Sequence, residues 1–414
     1  MNNISAILVL QNGQIYKGQG FGTESIRYGE CVFTTGMTGY SESLTDPSYA
    51  GQILCFAAPL IGNIGTSKSW YESEQMYADG VIVSSLSEQG FHNQQDTSLA
   101  EFLKNNDRGG IQNIDTRRLV KTLRDEGNQP CILIVGKTRI EMLNAVGFDL
   151  NGDVDSKTFK ELLQMIDNPE DVGFLDWARK VSKDRFESEE VNSPFPKRGG
   201  STADGVFTTN TTNKQINILN HIKSEKLEGK NKTIVVLDCG VKLNILRELS
   251  KRVDKMIVLP ADTTCDQIMS YKPDGVLLSN GPGDPRDYRY AVQTVQGLLA
   301  NNIPLMGICL GHQLLSLAIN CEVYKMKFGN RGANQPVQDL ISNKAYLTSQ
   351  NHGYATKTDT IPADYQIFFQ NLNDQTVEGI IHRSKPIFSV QFHPEACGGP
   401  QDTNWLFHKF VNSL

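Results

Sequence analysis

The apolar positions of this chain fall into two regimes. Near the start, residues 6–10 form a continuous apolar run, Gln11-Asn12-Gly13-Gln14 interrupts it, and Ile15 and Tyr16 resume it. Asn-Gly between two such runs is a hairpin signal, so a strand pair is predicted. Residues 34–50 are dense in Gly, Thr and Ser and contain Asp46-Pro47, whereas residues 52–60 turn apolar again. This predicts a loop held between two strands and able to reach outwards. Asp115 stands where a helix N-cap belongs, the helix it opens runs to Glu126, and Gly127 closes it. Residues 131–135 then read as a buried strand, and a β-rich first domain is expected over 1–137.

Residues 138–230 read as a connecting region. Residues 157–166 have helical spacing, while 186–214 are mostly Ser, Thr, Asn, Gly, Pro and charged residues, a linker composition. From Lys232 onwards short apolar runs alternate with amphipathic segments. Strands are predicted over 233–237, 256–260, 275–278 and 303–308, and helices over 241–249 and 290–300. Short strands separated by helices predict an α/β domain over 231–414, a doubly wound and mostly parallel sheet whose ligands gather at the carboxyl ends of its strands.

Composition narrows the classes further. With 39% hydrophobic and 21% charged residues over 414 positions, the chain lies in the ordinary globular range, which excludes wholesale disorder and a fibrous protein. Forty Lys and Arg against 46 Asp and Glu leave a net charge of −6, so neither nucleic acid nor an anionic membrane is an expected partner. The longest apolar runs fall far short of the roughly 18 residues a bilayer span needs. No Lys or Arg precedes Lys17, so the start lacks the charge of a signal or transit peptide, and a cytoplasmic location is expected. Cys31, Cys55, Cys131, Cys239, Cys265, Cys309, Cys321 and Cys397 lie far apart with no C-x-x-C pair, which signals neither a zinc site nor a disulfide framework.

The candidate chemistry lies in the second half. Gly307-Ile308-Cys309-Leu310-Gly311 is a G-x-C-x-G form of the nucleophile elbow, with an apolar strand before it and helical spacing over 313–319 after it. Small residues at 307 and 311 permit a sharp turn that leaves the sulfur exposed above the sheet. The helix N-terminus that follows favours thiolate and presents amides to an oxyanion. A buried structural cysteine beside a glycine turn is the competing reading, and both flanks weigh against it. A thiolate attacking a carbonyl needs a base that later protonates the departing amine. Residues 388–392 alternate as a strand does and Pro394 disfavours helix at His393, so His393 and Glu395 fall at i, i+2 on one face of extended chain. Glu395 is then placed to orient the imidazole. A surface His-Pro-Glu turn is the rival reading. His312, on the first turn of the helix, and His352, in the polar turn 350–354, are alternative bases, and that turn is equally suited to presenting amides to a ligand. Ser279-Asn280-Gly281-Pro282-Gly283-Asp284-Pro285 lies at a strand end, where Gly281 and Gly283 bring backbone amides close to a ligand. No Gly-Lys-Ser/Thr follows it, so a Walker-type phosphate loop is rejected.

Taken together, residues 307–313, the 279–285 loop and Phe392-His393-Pro394-Glu395-Ala396 resemble a class I glutamine amidotransferase. In the first half, Thr35-Gly36-Met37-Thr38-Gly39-Tyr40, residues 44–49, Pro59-Leu60-Ile61-Gly62-Asn63 and Ile114-Asp115-Thr116-Arg117 resemble the N-terminal domain of the carbamoyl-phosphate synthetase small chain. Residues 238–242 and 329–336 are similar to eukaryotic forms, including the glutaminase region of the fused pyrimidine-pathway enzyme. The resemblance covers about 1–137 and 232–414 and implies a flavodoxin-like C-terminal domain beside a separate N-terminal β-rich α/β domain that docks a partner. It implies hydrolysis of L-glutamine through a cysteinyl thioester, with Cys309 as nucleophile, His393 as base and Glu395 as its orienter. Glutamine would be held by Ser48, by the amides of Gly281 and Gly283, by Leu310 and Gln313, and by Asn351, Gly353 and Tyr354. The released ammonia would pass to a synthetase large chain, or to fused synthetase domains, which would make carbamoyl phosphate from bicarbonate. No metal site and no cofactor are expected in this chain; ATP and Mg belong to the partner. Two other readings remain open at this point: a cysteine hydrolase of the same fold acting on a γ-glutamyl or peptide bond, and a non-catalytic regulatory subunit. The pathway served, arginine or pyrimidine, is equally open.

Overall fold

A computed structural model describes residues 4–145, 148, 154–164 and 229–414. Within these the chain forms two compact units, one of 4–164 with 327–332 and one of 229–326 with 333–414. The stretch 186–214, read as linker, lies outside the described residues.

The first unit is built on strands β1 (Ser5–Leu10), β2 (Ile15–Gly22), β3 (Ser25–Thr34), β4 (Gln52–Phe56), β5 (Leu60–Ile61), β6 (Gly80–Ile82), β7 (Ser85–Leu86), β8 (Gly109–Gln112) and β9 (Gln129–Val135). Seven of them close a barrel in the order β1-β2-β8-β6-β4-β3-β9, while β5 and β7 form a separate short pair. The β1–β2 hairpin pairs Val9 with Ile15 across the Asn-Gly turn, where Gly13 takes φ 94°. Alternation along β1 and β9 sorts the side chains into two layers. Leu8, Leu10, Cys131 and Leu133 pack with Leu119 and Leu123 of α3 (Thr116–Glu126), while Ile7, Val9, Ile132 and Ile134 face outwards.

Two expectations for this unit need correction. Residues 34–50 are not a plain outward loop: they hold α1 (Tyr40–Thr45) and a 3-10 turn (Pro47–Tyr49), and Tyr40, Leu44, Ser48 and Tyr49 are buried. The reason is topological, because β3 and β4 pair in parallel and parallel strands need a crossover that packs. The unit also continues past residue 137. Helices α4 (Lys137–Ala145) and α5 (Ser156–Gln164) bring Leu143, Phe159 and Leu162 onto the outward apolar layer, which would otherwise face water. A further helix, α2 (Leu99–Asn105), is capped by the Ser98 hydroxyl and packs on β2, so it precedes α3 in the chain.

The second unit alternates β10 (Gly229–Asp238), α6 (Leu243–Ser250), β11 (Val253–Pro260), α7 (Cys265–Ser270), β12 (Gly275–Leu278), α8 (Arg289–Ala300), β13 (Leu305–Ile308) and α9 (Leu310–Ala318). Strands β14 (Val323–Asp339, whose residues 327–332 are counted with the first unit), β15 (Lys344–Thr356), β16 (Tyr365–Asn371), β17 (Val377–His382) and β18 (Ile387–Val390) follow, then α10 (Trp405–Val411). Its sheet runs β11-β10-β12-β13-β18 in parallel and continues through β17, β15, β14 and β16. Within the parallel part the spatial order is that of a doubly wound fold. Period-two burial feeds both faces. Val235, Leu237, Val276 and Leu278 pack with Val295, Leu298, Leu314 and Leu315, while Ile234, Val236, Leu277 and Met306 pack with Ile245, Leu249, Phe407 and Phe410. This places the end of β13 in the middle of the sheet, where a nucleophile is flanked by loops on either side.

Candidate active site

Cys309 stands between β13 and α9 with φ 53° and ψ −103°, a conformation that non-glycine residues rarely adopt and that must be held by its surroundings. The flanking glycines allow it. A Cβ on Gly311 would lie 2.2 Å from the Leu278 carbonyl oxygen, and one on Gly307 would lie 2.7 Å from that of Gly311. The Cys309 N–H donates to Val390 O at 2.9 Å and the Gly311 N–H to Ser279 O at 3.0 Å, which ties the elbow to β18 on one side and to the 279–285 loop on the other. One expectation fails here: the sulfur does not stand exposed above the sheet. Cys309 is 3% exposed, because β15 crosses it and the Asn351 carbonyl accepts a hydrogen bond from its thiol at 3.5 Å.

His393 and Cys309 are brought to one place by two ties. Val390, which accepts from the Cys309 N–H, lies three residues before His393, and β13 and β18 are adjacent parallel strands. The same stretch of β15 meets both residues, since the Ser349 carbonyl accepts from the His393 N–H at 2.9 Å. His393 Nδ1 lies 2.7 Å from Glu395 Oε1, so Nδ1 donates to the carboxylate. His393 Nε2, on the other side of the buried ring, has no hydrogen-bond partner among the described residues. That nitrogen is the one left to take a proton from a thiol or give one to a leaving group.

Glu395 is fully buried and also meets Lys242 Nζ at 2.9 Å. Burial by itself raises its carboxyl; the Lys242 ammonium and then His393 outweigh that and hold it at about 2, so it is ionised at any physiological pH. Asn244 Nδ2 donates to the Glu395 carbonyl, and the Lys242 N–H donates to Asn280 Oδ1 at 3.1 Å. Lys242 and Asn244 were not singled out for chemistry from the sequence. The available signal was position, since both open the helix that follows β10, at the carboxyl end of a sheet strand.

The rival histidines are engaged elsewhere. His312 is fully buried, with Nδ1 2.8 Å from Ser389 Oγ and Nε2 3.1 Å from Thr356 Oγ1. Burial, with His352 adding to it, pushes its imidazole down to about 3, so the ring is neutral and acts as a core hydrogen-bonding group. His352 is buried between Gln350 and the Tyr354 carbonyl. Residues 350–354 are not a turn, as expected, but part of strand β15. Their polar side chains are buried because they bond one another, which a local pattern does not reveal.

The other candidate residues fall as follows. Gly281 packs so closely that a Cβ would lie 2.1 Å from Cys239 O and 2.8 Å from Leu310 Cδ2, and Gly283 takes φ 87°. Ser279 Oγ accepts from the Cys239 N–H at 2.9 Å and Tyr288 OH donates to Pro282 O at 2.6 Å, so this loop is rigid. Leu310 is the first helical residue, a position whose N–H has no partner within the helix. Gln313 Nε2 donates to Gln391 Oε1 at 3.1 Å and to Tyr354 O at 3.3 Å. Gly353 and Tyr354 are half-buried, and the Arg286 guanidinium, itself paired with Asp284, lies 5.6 Å from the Tyr354 ring centre. Ser48 belongs to the first unit, where its N–H donates to Asp46 Oδ1 at 2.9 Å. Among the described residues no group of three or more His, Cys, Asp or Glu is arranged to hold a metal, and no helix is long and apolar enough to cross a membrane.

Comparison with known proteins gives two family matches: glutamine amidotransferase class-I over residues 235–413, and the carbamoyl-phosphate synthase small chain CPSase domain over 8–133. The chain is 41% identical over 408 residues to the carbamoyl phosphate synthase small chain of Methanocaldococcus jannaschii, covering 99% of this chain and 98% of that one. It is 40% identical over 411 residues to the protein of that name from Buchnera aphidicola, covering 99% and 94% of the two chains. With that from Chlorobaculum tepidum identity is 38% over 416 residues, covering 100% and 99%. Near end-to-end identity at this level settles the family: this chain belongs to the carbamoyl phosphate synthase small chains.

Proposed function

We propose that the protein is the glutamine-hydrolysing component of a carbamoyl-phosphate synthase, cleaving L-glutamine through a thioester on Cys309. The observation that carries this is an elbow cysteine tied through Val390 and β15 to the segment of a histidine whose Nδ1 is held by a buried carboxylate and whose Nε2 has no hydrogen-bond partner among the described residues. His393 takes the thiol proton as the sulfur attacks the side-chain amide carbon. Amides at Leu310 and along the Gly281–Gly283 loop stabilise the oxyanion. The tetrahedral intermediate then expels ammonia, which leaves with the proton from His393. Water, deprotonated by the same imidazole, cleaves the thioester to glutamate and restores the thiol. Glu395 keeps the imidazole oriented, and Lys242 keeps Glu395 charged.

The expected roles of Ser48, Gln313, Asn351, Gly353 and Tyr354 toward glutamine rest on the family likeness. The ammonia goes to a synthetase large chain, which would supply ATP and Mg, and no nucleic acid takes part. A cytoplasmic location fits such a partnership. The eukaryotic likeness of residues 238–242 and 329–336 rests on those segments alone, since the relatives compared above are archaeal and bacterial. The test is Cys309→Ala in complex with a large chain. Glutamine-dependent carbamoyl phosphate synthesis should vanish while synthesis from added ammonia persists; surviving glutamine dependence would end the assignment. Cleavage of a γ-glutamyl peptide in preference to glutamine would favour the general hydrolase instead.

A further inference from the structure

Beneath the strand that crosses Cys309 lies a charged residue that the thiol chemistry leaves unused. Glu378, on β17, is fully buried. Its Oε1 accepts from Asn371 Nδ2 at 3.1 Å and from Thr376 Oγ1 at 3.4 Å, and lies 3.7 Å from His352 Nε2. Its Oε2 has no hydrogen-bond partner among the described residues. A carboxylate held out of water in this way is stable as an anion only beside positive charge.

The candidate for that charge is His352, whose two ring nitrogens both face oxygen atoms. Nδ1 lies 2.9 Å from the Tyr354 carbonyl oxygen, which accepts and never donates, so Nδ1 carries a hydrogen. Nε2 lies 3.1 Å from Gln350 Oε1, and a chain of bonds fixes the orientation of that amide. Thr348 Oγ1 is 2.7 Å from the Gln335 carbonyl and must give its hydrogen there, so it accepts from Gln350 Nε2 at 3.2 Å. Gln350 therefore turns its oxygen to the imidazole. Both neighbours of Nε2, Gln350 Oε1 and Glu378 Oε1, are oxygens placed to accept. An imidazole that donates from both nitrogens is a cation. Among the described residues, the titratable groups tied to His352 are Glu378 of β17 and the neutral His312 of α9.

We propose that Glu378 is a positioning residue: its carboxylate holds His352 as a doubly donating imidazolium, which clamps residues 350–354 of β15 and so sets the Asn351 carbonyl against Cys309. The proposal rests on Cys309 being the nucleophile toward glutamine. It is tested on the full chain carrying 15N-labelled histidine, with the His352 signals identified by their loss in His352→Asn. At neutral pH the native ring should show two protonated nitrogens, and in Glu378→Gln, which keeps a bond to Asn371 but drops the charge, it should show one. In parallel, Glu378→Ala should raise KM for glutamine about tenfold or more with a much smaller change in kcat. Glu378→Asp should recover part of the loss, and ammonia-dependent synthesis with the large chain should be untouched. A singly protonated His352 in the native chain, or an unchanged KM in folded Glu378→Ala, overturns the proposal; should Glu378→Ala not fold, Glu378→Gln carries the same kinetic comparison. Lack of any glutaminase activity in the unaltered complex would instead overturn the nucleophile reading, while the nitrogen signals still decide the ion pair.

Discussion

Lys242 answers two needs at once: it neutralises a carboxylate that burial would otherwise protonate, and through that carboxylate it fixes which nitrogen of His393 is engaged, so that Nε2 is the one without a hydrogen-bond partner among the described residues. Glu395 falls from an ordinary 4.5 to about 2, so the unfolded chain takes up its proton first as the pH drops. The stabilisation this group contributes is complete above its unfolded value and is lost as the pH falls through its folded one. Replacing Lys242 with Met removes the larger of the two charges that depress it. The variant should therefore lose most stability at neutral pH, progressively less as the pH falls below the unfolded value of 4.5, and least near pH 2, which denaturant unfolding across the pH range will show. A loss of equal size at all pH values would mean that Lys242 serves packing alone. His393→Asn should abolish glutamine hydrolysis without altering the fold, since its ring packs in a site already walled by β15; a circular dichroism spectrum beside the glutaminase rate checks both halves.

At the scale of elements, the elbow depends on two glycines for space rather than for flexibility. Gly311→Ala would drive its Cβ into the Leu278 carbonyl, a contact of 2.2 Å that only backbone movement relieves. Overpacking of this kind costs about 1–3 kcal/mol, and here it also displaces the Cys309 turn. A lowered Tm together with lost glutaminase activity is expected, and an active, equally stable variant would contradict the geometry. Leu119→Ala, in the other unit, should cost about 2–5 kcal/mol in denaturant unfolding, because Leu119 is fully buried against the barrel strands. These elements differed in how well they were legible beforehand. The strand–Cys309–helix succession and the Asp115-capped helix follow from local signals, apolar runs and caps, that act over a few residues. Strand β15 did not, because Gln350 and His352 look like surface residues until Thr348 of the same strand, itself held by Gln335, and Glu378 of β17 stand beside them. The exposure expected for Cys309 failed for the same reason: the segment that covers it lies some forty residues further on.

Across the whole molecule, Cys309, His393 and Glu395, proposed above as nucleophile, base and orienting carboxylate, all belong to one unit, and the proposed reaction hands its ammonia to another chain. Mixing the protein with the large chain of a relative should make carbamoyl phosphate formation depend on glutamine, and chromatography of the mixture should show a stable complex; no association at micromolar concentration would argue against that role. The need for a partner was legible from motifs in the first half, whereas the barrel was not, because closure depends on strands far apart in sequence, such as β1 and β9, finding each other. That closure has a further consequence. Among the described residues the seven-stranded ring offers no free rim of backbone amides, so the ring itself cannot capture another chain by extending its sheet, nor polymerise that way. A partner that meets the ring is then met by side chains rather than backbone, where single substitutions can retune the fit without touching the staves.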